Sequence, residues 1–285
     1  LLGPDRCEGY EPAATEPMQL GYSIKVGDIN DDGFEDVLSG APGFGGDSGA
    51  IQLRLYAAGE SLDLLYSEIE LSVLDPELDL QPGDQFGFSV MVASLDDDSR
   101  REVYVGAPGR DTAGTDCGSV FILRGSRRLA GDPLDSFKFE SIQEVSPFPL
   151  QCEDRSDHFG FSMAATDTTT HFIVGAPNRW YKSGEDYLWR AGAVYLVKKD
   201  SLDVLGPFSA EDVTGGVWSS QLQANFGWAV AAANQFPPWY SDTYAIGAGG
   251  KVGVRRGKAL VAIFYSDMWQ RLRTYTAAMK GSYGR

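Results

Sequence analysis

A three-part pattern that occurs four times, in the same order, constrains this 285-residue chain more than any other feature. Each copy begins with a glycine between hydrophobic or aromatic residues and continues to a Gly-Ala-Pro segment or a close variant of it. It ends at a glycine that precedes a run of hydrophobic residues. The leading glycines are Gly21, Gly87, Gly160 and Gly227, so one unit is about 66 to 73 residues long. Repetition on this scale indicates a supersecondary unit that buries its hydrophobic face only by stacking on further copies.

Each unit has the hydrophobic pattern of β-strands. Residues 23–26 alternate between polar and apolar side chains, whereas residues 172–174 and 194–197 form short apolar runs. Both patterns are typical of strands that are bounded by Gly, Pro and Asp. A weak helical pattern occurs at 266–276. The sequence therefore predicts an all-β chain.

The order of the motifs predicts four strands in each unit. The first follows the leading glycine, the second ends in Gly-Ala-Pro, and the third opens at the last glycine. A looser fourth follows, at segments such as 137–142 and 202–208. Four antiparallel strands repeated radially form the blades of a β-propeller. The leading glycines would then lie at equivalent positions near the axis, where a missing Cβ lets neighbouring blades approach each other.

This motif order resembles the FG-GAP repeats of integrin α-subunit propellers and of the repeat region of glycosylphosphatidylinositol-specific phospholipase D. The resemblance extends from about residue 18 to residue 265. It implies a β-propeller of four-stranded antiparallel blades, and propellers of this family usually have seven. The chain supplies four blades, and residues 281–285 resemble the opening of a fifth. We expect residues 1–285 to be one segment of such a ring; a closed four-bladed ring is the alternative. The expected repeats are 18–80, 84–150, 157–215 and 224–278.

The segment 28–36 has the composition of a calcium loop. Oxygen-bearing side chains occupy its first, third and fifth positions, and a glycine that permits a sharp turn follows. An EF-hand would need a glutamate at the twelfth position, where this chain has Ser39. In FG-GAP calcium loops, which this segment resembles, the ninth residue closes the coordination shell. The expected ligands are Asp28, Asn30, Asp32, the carbonyl of Phe34, and Asp36.

By alternation, Asp31 and Glu35 would point away from that ion. The alternative for the whole segment is an acidic hairpin turn that holds no ion. The corresponding segments of the other units depart from the pattern: 94–99 lacks the glycine and the first carboxylate, 166–171 is too short, and 234–242 carries prolines in place of ligands. We therefore expect one calcium site in this chain.

The net charge of −16 argues against nucleic acid or an anionic membrane surface as a partner. No apolar run approaches the length of a membrane span. Residues 1–4 do not resemble a signal peptide, so we expect any targeting segment to be absent or removed.

The chain has three cysteines. Cys117 lies before the third strand of the second unit, and Cys152 lies in the connection to the third unit. Both segments belong to the same face of an up-and-down blade, so we expect a disulfide between them and an oxidising compartment. Three free thiols are the alternative. Cys7 is left to pair outside this segment.

Nothing in the sequence indicates catalysis. The only histidines are His158 and His171, neither of which has a second ligand or a base nearby in sequence. No Gly-x-Ser-x-Gly segment or phosphate-binding loop occurs. The resembled phospholipase carries its chemistry in a separate zinc-dependent domain that nothing here matches. We therefore expect that this segment is not an enzyme.

A long loop of the third unit, at 178–190, is rich in aromatic and basic residues. Such residues are enriched at binding hot spots, and integrin-like propellers bind ligand on this face. Packing over the rim of a neighbouring blade is the alternative. The aromatic segment 236–240, on the opposite face, is a weaker candidate. The expected partner-binding residues are Arg179, Trp180, Tyr181, Tyr187, Trp189 and Arg190.

These observations favour a calcium-binding extracellular, cell-surface or luminal propeller that acts as a protein-binding or adhesion module. Its partner would be another protein, or the blades that complete the ring. A second hypothesis is the accessory propeller of a secreted hydrolase such as the phospholipase, and a third is a structural role in an extracellular assembly.

Overall fold

The fold is all-β, as predicted, and consists mainly of four four-stranded antiparallel sheets. The computed structural model describes residues 18–57, 65–70, 78–96, 100–111, 114–126, 137–147, 152, 156–183, 186–214, 224–234, 242–248, 259–265 and 274–277. In each sheet the strands are hydrogen-bonded in sequence order, which is the meander expected of a propeller blade.

The first two sheets contain eight strands. The first sheet consists of β1 (Ser23–Gly27), β2 (Asp36–Ala41), β3 (Ala50–Ala57) and β4 (Leu65–Glu70), with the short α1 (Phe44–Asp47) between β2 and β3. The second sheet consists of β5 (Ser89–Ala93), β6 (Glu102–Ala107), β7 (Ser119–Gly125) and β8 (Phe139–Val145).

The third sheet carries an inserted hairpin, and the fourth follows a short helix. The third consists of β9 (Ser162–Ala164), β10 (His171–Ala176), β13 (Ala193–Lys198) and β14 (Val204–Phe208). The hairpin of β11 (Tyr181–Ser183) and β12 (Asp186–Leu188), between β10 and β13, forms a separate two-stranded sheet. After α2 (Ala210–Thr214), the fourth consists of β15 (Phe226–Asn234), β16 (Asp242–Ala248), β17 (Ala259–Tyr265) and β18 (Thr274–Ala277). Residues 274–276 of the weak helical candidate are therefore in a strand.

The four leading glycines occupy equivalent places. Their φ angles are 85°, 89°, 90° and 88°, a left-handed region that favours glycine. The register of the first two strands is also the same in every sheet. The cross-strand pairs that show this are Ser23 with Gly40, Ser89 with Gly106, Ser162 with Gly175, and Ala229 with Gly247.

Neighbouring sheets are joined along their first strands. The first strand of each sheet contacts the first strand of the next. Three serine hydroxyl groups donate hydrogen bonds across these junctions: Ser23 to the carbonyl of Gly87 (2.9 Å), Ser89 to that of Gly160 (2.7 Å) and Ser162 to that of Gly227 (2.8 Å). The aromatic residues after the leading glycines form a row with ring centroids 4.6 to 4.8 Å apart.

The hydrophobic core lies between the sheets. Each of three buried clusters draws its residues from two neighbouring sheets, so every sheet needs its neighbour to exclude water. The clusters include Leu53, Phe86 and Phe121 between the first and second sheets, Tyr104, Phe159 and Tyr195 between the second and third, and Ile173, Phe226 and Tyr244 between the third and fourth.

Candidate functional site

The loop that joins β1 to β2 is folded by the side chains that the sequence predicts as ligands. Asp28 accepts hydrogen bonds from the backbone N–H groups of Asp32 (3.1 Å) and Gly33 (2.9 Å). Asn30 Oδ1 accepts from Asp32 N–H (3.1 Å), and Asp32 Oδ1 accepts from Phe34 N–H (3.0 Å). Gly33 has a φ of 87°, so the sharp turn is at the predicted residue. Three expected ligands thereby accept backbone hydrogen bonds within the loop.

Asp36 begins β2 and is fully buried. Its carboxylate accepts hydrogen bonds from Ile29 N–H (2.8 Å) and Tyr56 N–H (3.0 Å). Burial raises the pKa of Asp36 to about 7; the two backbone hydrogen bonds oppose this effect, and the carboxylates of Asp32 and Asp28 add to it. Asp36 therefore ionises less readily than an exposed aspartate does.

The donors of this loop suit a hard cation. Carboxylate, amide and backbone carbonyl oxygens are the ligands that calcium takes in proteins. Within the described ranges, no three His, Cys, Asp or Glu side chains form a group able to hold a metal ion. The expected ligand set also includes the Asn30 amide and the Phe34 carbonyl. Asn30 is buried, and its Nδ2 has no hydrogen-bond partner among the described groups.

The loop of the third sheet is closed without acidic ligands. Thr169 Oγ1 donates to the carbonyl of Thr166 (2.8 Å) and accepts from Thr166 N–H (3.1 Å). Lys199 Nζ also donates to the Thr166 carbonyl (2.8 Å). Most of the corresponding segment of the fourth sheet, 235–241, lies outside the described residues.

Cys117 and Cys152 form a disulfide, as predicted, with their Cα atoms 5.6 Å apart. Both side chains are buried. The bond ties the segment before β7 to the connection between the second and third sheets. Cys7 lies outside the described residues.

The predicted partner-binding loop forms the hairpin β11–β12, in which Tyr181 pairs with Leu188 and Lys182 with Tyr187. Tyr181 donates a hydrogen bond to Glu211 of α2 (3.3 Å), which fixes one side of the hairpin. Trp189 is 38% exposed, and the Arg190 guanidinium lies 4.7 Å from the centre of its ring. Trp180 is half-buried. The side chain of Tyr187 is outside the described part of the structure.

Arg179, between β10 and β11, is mostly buried and is engaged in an ion pair. Its guanidinium pairs with the buried carboxylate of Asp157 and lies 6.0 Å from the ring of Tyr195. The second sheet has the same arrangement, in which Arg110 pairs with Asp84 (2.8 Å). The sequence contains the signal for these pairs, because in both units an aspartate stands two residues before the Phe-Gly and an arginine two residues after the proline.

Each of the two histidines lies within hydrogen-bond distance of a polar side chain. His158 Nδ1 lies 3.1 Å from Asn178 Nδ2, and burial lowers its pKa. His171 Nδ1 lies 2.7 Å from the hydroxyl of Thr170. No helix in the described portion is long and apolar enough to cross a membrane.

Comparison with known proteins confirms the resemblance. Residues 20–53 match the family model of the FG-GAP repeat. The chain is 29% identical over 154 residues to mouse phosphatidylinositol-glycan-specific phospholipase D. This match covers 52% of the chain and 17% of that protein. It is 30% identical over 190 residues to integrin alpha pat-2 of Caenorhabditis elegans, covering 62% of this chain and 14% of that protein.

Integrin alpha pat-2 of Caenorhabditis briggsae matches over 264 residues at 27% identity, covering 86% of this chain and 19% of that protein. The chain thus spans less than a fifth of the length of each of these three relatives. The segment 20–53 that matches the FG-GAP repeat contains the whole loop between β1 and β2.

Proposed function

We propose that this chain is a calcium-stabilised segment of an extracellular β-propeller that binds another protein. The folded loop between β1 and β2 carries the calcium part of the proposal. Asp28, Asn30, Asp32, the Phe34 carbonyl and Asp36 would hold the ion. A bound calcium ion would supply positive charge beside the buried Asp36 and its acidic neighbours, and so lock the turn to the second strand.

Titration calorimetry tests the calcium part. The intact chain is expected to bind one calcium ion, and Asp32→Ala is expected to abolish the binding. Glu35→Ala is the matched control, because it removes the same charge from an exposed neighbour that is expected to point away from the ion. Loss of binding in both variants would mean that net charge, and not this ligand set, attracts the ion.

The hairpin supports the protein-binding part. Trp189 is exposed although it is large and apolar, and its ring is covered on one face by Arg190. Tryptophan and arginine are the residue types that most often dominate interface energies. Because Arg179 is engaged by Asp157, we propose that the binding surface centres on Trp189 and Arg190.

Adhesion of coated beads tests the protein-binding part. Beads that carry the chain are expected to adhere to cultured cells, and Trp189→Ala is expected to reduce adhesion while leaving the melting temperature within about 1 °C, since a partly exposed side chain contributes little to folding. Leu205→Ala is the control, since Leu205 is a similarly exposed hydrophobic residue (40%) that lies on β14, outside the hairpin. Unchanged adhesion together with a lower melting temperature would instead assign Trp189 to rim packing.

A second candidate is supported by the match to the mouse phospholipase. In that case the chain would be the accessory propeller of a secreted hydrolase, and we infer that the segment itself carries no catalytic centre. A complete reading frame separates the two: a zinc-dependent catalytic domain beside this segment favours the hydrolase, and a membrane span favours an adhesion receptor.

A further inference from the structure

The loop between β5 and β6 of the second sheet has the same framework as the calcium loop proposed for the first. Asp36 pairs with Gly27 across the first two strands, and Glu102 pairs with Ala93 in the same way. The carboxylate of Glu102 accepts a hydrogen bond from Leu95 N–H (2.6 Å), as that of Asp36 does from Ile29 N–H. Glu102 is only 1% exposed. Both sheets therefore bury a carboxylate at the ninth position of the loop.

The two loops differ in what lies beside that carboxylate. In the second sheet the Nε of Arg124 lies 3.3 Å from Glu102 Oε1, and its Nη2 lies 2.6 Å from Asp96 Oδ2. Asp96 stands at the third position of its loop, which Asn30 holds in the first. The guanidinium thus bridges the third and ninth positions.

The first sheet has no arginine at the matching place. Arg124 is the sixth residue after Gly118, and the sixth residue after Gly49 is Leu55, which is fully buried. Leu55 follows Arg54, the cross-strand partner of Val37, and so lies next to the start of β2. The side chain that neutralises the ninth position in the second sheet is therefore replaced by a hydrocarbon in the first.

We propose that Arg124 is a built-in cation that takes, in the second sheet, the place that calcium takes in the first. Its guanidinium donates a hydrogen bond to Asp96 and lies at ion-pair distance from Glu102, whose Oε1 has no hydrogen-bond partner among the described groups. Removing one partner of a buried ion pair is strongly destabilising. Asp96 and Glu102, at the third and ninth positions of the second loop, then stay paired without metal, and of these two loops only the first depends on calcium. The comparison with calcium rests on the function proposed above, whereas the contacts of Arg124 do not.

Thermal unfolding in the presence of EGTA tests the pairing. Arg124→Leu installs the residue that the first sheet carries and is expected to lower the melting temperature by roughly 5 °C or more, because the guanidinium charge beside the buried Glu102 is removed. Adding Glu102→Gln to that variant is expected to recover at least half of the loss. Arg101→Leu is the control, since Arg101 pairs with Asp167 at an exposed site of the same loop. An unchanged melting temperature in Arg124→Leu, or no recovery with Glu102→Gln, would overturn the proposal.

Calcium titration tests whether Arg124 stands at a cation position. The experiment uses Asp32→Ala as background, so that the first loop no longer contributes. In that background, Arg124→Leu is expected to gain a calcium-induced rise in melting temperature of about 2 °C or more, because Asp96 and Glu102 are released to bind the ion. Glu102→Gln should remove this gain, and Arg101→Leu should not produce one.

If calcium does not raise the melting temperature of this variant, Arg124 only forms an ion pair and the proposal is overturned. A failure of the proposed calcium site in the first sheet is seen separately, as a lack of calcium response in the unmodified chain. The effect of Arg124→Leu in EGTA is independent of that result.

Discussion

At the scale of single residues, the glycine of each Gly-Ala-Pro segment sets how closely the sheets approach. A Cβ on Gly106 would collide with the carbonyl oxygen of Gly160 in the next sheet. The equivalent Gly247 of the fourth sheet has more room, since the nearest described atom to such a Cβ is the carbonyl oxygen of Ala229 at 3.5 Å. Gly106 and Gly247 therefore have the same place in the repeat but different steric surroundings.

This difference predicts unequal effects of the same substitution. Gly106→Ala is expected to lower the free energy of unfolding by about 1–3 kcal/mol, because the second and third sheets must move apart. Gly247→Ala is expected to change it by less than about 0.5 kcal/mol. Urea unfolding of both variants measures this. Equal losses would mean that another part of the chain approaches Gly247 as closely as Gly160 approaches Gly106.

At the scale of strands and loops, the sequence predicted the sheets well and their edges less well. The second and third strands of the first three units follow the motifs because they bury hydrophobic residues. The fourth strand of the second unit is β8, at Phe139–Val145 instead of 137–142. Its side chains are mostly exposed, so the hydrophobic pattern that would fix its bounds is weak.

In the loops, the sequence predicted the features that depend on residues close together in the chain and missed those that depend on distant residues. The turn at Gly33 was predicted because its ligands are close in sequence. The ion pairs of Arg124 with Glu102 and of Arg179 with Asp157 were missed, since each joins residues that are more than 20 positions apart. A register across two strands is needed to see the pair of Arg124 with Glu102, whereas the pair of Arg179 with Asp157 has a signal in the repeated positions of Asp and Arg. The hairpin β11–β12 was expected only as a loop, because its strands are three residues long.

The disulfide belongs to this scale, because it joins a loop to a connection between two sheets. Cys117 and Cys152 are 35 positions apart, and a cross-link of that span stabilises by about 2–4 kcal/mol through the entropy of the unfolded chain. The double variant Cys117→Ser with Cys152→Ser is expected to lose that amount in urea unfolding. Reductant should destabilise the unmodified chain by a similar amount and leave the double variant unchanged. A reductant effect in the double variant would point to a different cysteine bond.

At the scale of the whole molecule, four sheets share one register and stack through their first strands. The division into repeats and the seven-bladed ring stay predictions. Three large hydrophobic side chains at the start of the first sheet are each more than half exposed: Tyr22, Ile24 and Val26. Such an exposed face suits a further blade. In the proposed account, calcium would stabilise the loop between β1 and β2 of the first sheet. Arg124 would pair with the carboxylates of the corresponding loop in the second sheet.

The most direct test of the account is the melting temperature with calcium and with EGTA. At calcium one hundred times its dissociation constant, the unmodified chain is expected to melt roughly 5–10 °C higher than in EGTA. Asp32→Ala should show no difference between the two conditions, and Glu35→Ala should respond as the unmodified chain does. A calcium response of the same size in Asp32→Ala, or none in the unmodified chain, would contradict the calcium loop between β1 and β2.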